Sequence, residues 1–145
     1  MLGNPPYSFP TVWQSVAHVS SWLLFIPGLI IILTVTNEYS FKTHRQNIID
    51  GWTRQQFITS KILFAAVLAV ISTIMVANTA VIFGFMSGDA SFSFEGFSYV
   101  WYFLLQAMSY IMVALLMAVL FKRGGLAIGV FFAYATVLEQ IVVLI

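Results

Sequence analysis

Cysteine is absent from this chain of 145 residues, which excludes a disulfide framework and a thiolate metal site. Charge is scarce as well. Only 8% of residues are Asp, Glu, Lys or Arg, where a soluble domain carries roughly 25%. No Gly-x-x-x-x-Gly-Lys-Ser/Thr occurs, so the chain has no loop of that kind to cradle a nucleotide phosphate. His-Glu-x-x-His and Gly-x-Ser-x-Gly are both missing, and no carboxylates cluster on one side. Neither a catalytic constellation nor a bound metal is therefore expected. Residues 1–11 hold no basic residue and contain Pro5, Pro6 and Pro10, a poor signal peptide. Lys and Arg are missing from all but two short stretches: Lys42, Arg45, Arg54 and Lys61 form one, Lys122 and Arg123 the other.

What fills the chain is apolar: 61% of residues are hydrophobic and the mean hydropathy is +0.97. A helix rises about 1.5 Å per residue and the hydrocarbon layer is about 30 Å thick, so about 20 residues make one crossing. Four segments qualify: 16–36, 62–86, 97–121 and 124–145. Lipid tolerates no open strand edge and the alternating segments are too few for a closed barrel, so helices are expected. The fold class is thus an all-α integral membrane protein of one domain, with four transmembrane helices. Cytoplasmic loops retain Lys and Arg, which places the loop 37–61 and the Lys122-Arg123 corner inside. The loop 87–96, with Asp89 and Glu95, is then outside, and so are both chain ends. Trp13, Tyr99, Trp101 and Tyr102 fall near the outer boundaries, where amphipathic rings favour the headgroup layer.

The loop 37–61 carries an internal pattern. Phe41, Ile48, Ile49 and Trp52 share one helical face, with Lys42 and Arg45 projecting elsewhere. Gly51 suits the position just past a helix end, where a left-handed conformation costs least. Thr53 and Gln56 form the capping-box pattern Thr-x-x-Gln, starting a helix that runs through Lys61 into the second crossing. Two readings of this shape stand side by side. One is an interfacial helix among lipid headgroups, its basic residues on anionic lipid. The other is a helix that seats Ile48, Ile49 and Trp52 in a groove of a soluble partner.

The same stretch resembles a known family. Asn37-Glu38-Tyr39-Ser40-Phe41-Lys42-Thr43, then Arg45-Gln46-Asn47-Ile48-Ile49-Asp50-Gly51, then Phe57 and Lys61, look like the permease subunit of bacterial type-2 ATP-binding cassette (ABC) exporters. In that family a Glu ends the second of six spans, a Thr begins a short coupling helix and a Lys opens the third span; Glu38, Thr43 and Lys61 match those places. The resemblance covers the second to fifth spans and departs in length, because the first and sixth are missing. It implies a separate ATPase subunit that binds ATP and Mg and receives the coupling helix. It also implies a second permease subunit, and residence in the bacterial inner membrane with no nucleic-acid partner. Glu38, Thr43, Arg45, Asn47, Ile48, Ile49, Asp50, Gly51 and Trp52 are then the ATPase-docking residues. With an uncharged exterior start and a flush exterior end, a piece of a larger permease is expected; a complete four-span protein is the alternative.

Polar residues within the spans are the remaining candidates. Glu139 is the one acidic residue inside a span, where a central carboxylate costs roughly 2.5–3.5 kcal/mol on insertion scales. Glu139, Asn78 and Gln106 are candidates for a substrate path or gate, against the reading that they bond to neighbouring helices. Gly125, Gly129 and Ala133 form a small-residue stripe for close helix packing, within the chain or in a dimer. A second stripe runs through Ala66, Thr73, Ala77, Ala80 and Gly84, and Pro27-Gly28 is a candidate kink. Two other classes of function compete: a small membrane scaffold whose basic loop holds lipid or an assembly partner, and a proton-coupled carrier built on Glu139.

Overall fold

A computed structural model of the chain describes residues 7–42, 45, 46, 49–51, 53–88 and 92–144, without the side chains of Leu138, Glu139, Val142 and Val143. Every regular element among the described residues is helical. Helix α1 is Val12–Ser21 and α2 is Phe25–Ser40, joined by a single tighter 3-10 turn at Trp22–Leu24. Helix α3 is Arg54–Met86, α4 is Ser98–Phe121 and α5 is Gly124–Leu144. Three stretches, Val12–Ser40, Arg54–Met86 and Ser98–Phe121, are long and apolar enough to cross a membrane. By length and composition this is a multi-pass membrane protein.

Local chemistry accounts for most element ends. The Thr53 amide donates to Gln56 Oε1 at 2.9 Å and the Gln56 amide to Thr53 Oγ1 at 3.2 Å, so both halves of the expected capping box are made. From there α3 continues unbroken for 33 residues, joining the loop to the opposite end of the molecule in one rod. The irregularity expected at Pro27-Gly28 lies one turn earlier. Pro27 sits in the first turn of α2, where its missing N–H costs nothing, but its ring crowds the carbonyl four residues back. That carbonyl belongs to Leu23, and the backbone tightens at Trp22–Leu24 instead of bending at the proline. Helix α4 ends at Lys122, whose φ of 53° is left-handed, and its amide donates to the Ala118 carbonyl at 3.0 Å.

Helix α4 lies at the centre and touches every other helix. Its buried face is Val100, Phe103, Ala107, Ile111, Ala114 and Ala118, a three-and-four spacing that suits nearly aligned packing. The small residues among them let α3 approach with its own Ala65, Ala69 and Ala80. Here the structure corrects the stripe expected on α3. Ala80 and Gly84 are buried as expected, while Ala66, Thr73 and Ala77 are only half-buried and Ala65, Ala69 and Val76 take the inner face. On α5 the packed residues are Ala127, Phe131 and Ala135. Gly125 and Gly129 meet nothing where a Cβ would stand, and Ala133 is exposed. The stripe expected to pack thus faces outward from this chain.

The end of the molecule that carries the 92–97 loop is closed by aromatic rings. Phe9, Trp13 and Phe92 meet edge-on or tilted, with centroids 5.2–6.4 Å apart. The Trp13 indole N–H donates to the Ser93 carbonyl at 2.9 Å, tying the start of α1 to the loop before α4. Gly96 is needed there twice over: its φ is +88°, and a Cβ would stand 3.3 Å from the Pro10 carbonyl oxygen.

Candidate functional site

The end opposite the aromatic cap gathers the loop residues. Helix α2 delivers Glu38 and Tyr39 on its last turn, and α3 delivers Phe57 and Lys61 on its first two turns. Glu38 Oε1 and Lys61 Nζ form an ion pair whose side chains are 23% and 15% exposed. Tyr39 and Phe57 stack edge-on beside it at 6.3 Å. The Lys61 ammonium also lies 5.3 Å from the Phe57 ring centre, and Lys122, from the corner between α4 and α5, lies 5.6 Å from that of Tyr39. Cations above ring faces at these distances are attracted by the ring quadrupole. Oε2, the other oxygen of Glu38, is buried and accepts no hydrogen bond among the described residues.

Two residues separated by 23 positions thus hold the two ends of the loop together. Between them, Arg45, Gln46 and Ile49 have helical backbone, and the Asp50 amide donates to the Gln46 carbonyl at 2.9 Å. Gly51 turns the chain with a φ of +102°, a conformation that glycine adopts without a Cβ penalty. Asp50, Gly51, Thr53, Gln56, Thr59 and Leu63 line an open cleft of about 850 Å3 at this corner. Phe41 and Ile49 are 77% and 82% exposed, and no described residue covers them. Thr43, His44, Asn47, Ile48 and Trp52 lie outside the described residues.

Of the candidates in the spans, Asn78 and Gln106 are not brought together. Asn78 is on an exposed face of α3 and donates to the Ile74 carbonyl of its own helix at 2.9 Å. Gln106 lines a separate cleft between α1 and α4 towards the aromatic-capped end. Glu139 belongs to α5, and its side chain lies outside the described residues. Among the described residues no group of three His, Cys, Asp or Glu could hold a metal ion. The ion pair itself escaped sequence reasoning as a contact, although both partners stood out by their places at the loop ends. Opposite charges at the mouths of two consecutive helices were the available signal. No protein-family model, curated protein or solved structure matches the chain.

Proposed function

We propose that this chain is the membrane-spanning permease subunit of an ABC exporter, with the loop 37–61 as its coupling element. In this reading four helices cross the bacterial cytoplasmic membrane, α5 being the fourth. A separate ATPase subunit binds ATP and Mg, and a second permease subunit completes the path. The observation that carries the reading is the Glu38–Lys61 pair, which joins the two residues that match the family's loop-end positions. A loop anchored at both ends transmits a push instead of absorbing it. Helix α3 extends that push: 33 residues at about 1.5 Å each make a rod of about 50 Å. Exposed Phe41 and Ile49 supply apolar contact for a groove on the ATPase, with Arg45 beside them. The substrate's identity has no counterpart in these residues, and Glu139 is a gate candidate by position alone.

The test is co-purification of the chain with the ATPase encoded beside it. Ile48→Asp combined with Ile49→Asp should abolish association while the helical content is retained. Unchanged association sinks the docking role. A loop peptide that binds anionic vesicles and no ATPase points to the scaffold instead.

A further inference from the structure

The outer half of the molecule holds a second cleft that the coupling reading does not use. Helix α1 contributes Gln14, Ala17, His18 and Ser21, and α4 contributes Tyr99, Tyr102, Phe103 and Gln106. Each set is spaced i, i+3, i+4, i+7, one face of a helix. The two helices start at the same end of the molecule and run in the same direction, so the stripes face each other along a shared length. Seven residues at about 1.5 Å each make that length about 10 Å. Ala17 and Phe103 are buried and form the floor; Gln14, His18, Tyr99, Tyr102 and Gln106 are exposed along the walls. Ser21 is satisfied by its bond to the Ala17 carbonyl, at 2.9 Å. The five wall side chains make no hydrogen bond to a described residue.

Both helices belong to membrane-crossing stretches, and the cleft starts at their outer ends. Apolar Trp22, Trp101 and Leu105, each at least 60% exposed, stand on the lipid-facing surface of the same two helices. At the boundary of a lipid layer the free donors and acceptors of Gln14, His18, Tyr102 and Gln106, gathered in one groove, suit a polar occupant better than an acyl chain. The lining has no Asp, Glu, Lys or Arg. Amides, phenols and imidazole offer donors and acceptors with no fixed charge to match an ionic headgroup. The volume is about 190 Å3, below the roughly 300 Å3 where drug-sized sites begin. That space suits one small headgroup with its chains left outside.

We propose that the α1–α4 cleft binds the uncharged, hydroxyl-rich headgroup of an amphiphile in the outer leaflet, with the acyl chains lying over Trp22, Trp101 and Leu105. The headgroup hydroxyls exchange hydrogen bonds with Gln14, His18, Tyr102 and Gln106, and the Tyr99 ring forms an apolar wall. The site stands apart from ATPase docking, which is read by co-purification and not by lipid.

The experiment uses the full chain in phosphatidylglycerol nanodiscs doped with monoglucosyldiacylglycerol, with diacylglycerol of the same chains as the sugar-free probe. Lipid retained by the protein is counted by native mass spectrometry. The glucosyl lipid should be retained about tenfold over the sugar-free probe, a difference of about 1.4 kcal/mol. Gln14→Leu with Gln106→Leu should remove that preference. Tyr102→Phe, which keeps the ring and its packing, should weaken it. Ser109→Ala, an exposed position on α4 outside the cleft, should leave it intact. Equal retention of the two probes overturns the proposal, as does a preference that survives in the Gln14/Gln106 variant. Disulfide linkage of Gln14→Cys to a second copy also overturns it, because the cleft is then a protein interface.

Discussion

Glu38 and Lys61 carry a disproportionate share of the organisation at the inner end. Taking two charges out of water is costly, and a partly buried pair recovers the cost only while both members are present. Lys61→Met leaves Glu38 half-buried with no cation among the described residues beside either oxygen. The expected loss is about 1–3 kcal/mol, below the roughly 3–5 kcal/mol of fully buried pairs because water still reaches both groups. Glu38→Gln combined with Lys61→Met should recover most of that loss. Thermal unfolding in detergent, arranged as a double-mutant cycle, measures the coupling directly. Additive single effects would mean that the two side chains act independently and that the loop ends are held by Tyr39 and Phe57 instead. Glu38 and Lys61 were legible in the sequence as singular charges at helix mouths. Their contact was not, because it depends on how α2 and α3 are rotated about their own axes.

Helices α2 and α5 show the same limit. A Cβ on Gly28 would stand 2.5 Å from the Phe131 ring, which is fully buried between helices and has nowhere to retreat. Overpacking costs about 1–3 kcal/mol, while Gly→Ala in a helix interior returns up to about 1 kcal/mol. Gly28→Ala should therefore lower the melting temperature, and Phe131→Leu in that background should restore part of it. Gly125→Ala meets open space, so only the helix gain applies and the melting temperature should hold or rise. The two substitutions separate packing glycines from unpacked ones. If Gly125→Ala instead destabilises the isolated chain, the outward face of α5 is packed in a way the structure does not contain. Periodicity found small-residue stripes on α3 and α5 and left the α5 stripe open to packing within the chain or in a dimer; within the chain it is Gly28, named only as part of a kink, that packs against α5.

For the molecule as a whole, the orientation is open to direct measurement because the chain has no native cysteine to remove. Gln55→Cys, at the exposed start of α3, should react with an impermeant thiol reagent only from the cytoplasmic side. Phe94→Cys, in the outer loop and 67% exposed, should react only from the exterior. The reverse pattern would invert the arrangement that Lys and Arg imply. It would also turn the Glu38–Lys61 end away from any cytoplasmic ATPase, and the coupling proposal would fail with it.

Local chemistry set the helix lengths, the Thr53–Gln56 start of α3 and the turn at Gly51, and the count of charges gives an expected direction for the crossings. Each of those depends on residues within a few positions of one another, or on a count of charges, and so can be read along a single strand of text. Which face of each helix turns inward was decided only in the folded molecule. Lipid is as apolar as the side chains it replaces, so a crossing helix that is hydrophobic all round has no amphipathic stripe to announce its buried side. The one-residue shift on α3, the outward stripe of α5, the Glu38–Lys61 pair and the polar cleft between α1 and α4 share that origin. All four come from shape fitting between helices, which depends on Cβ-sized differences that no periodicity records.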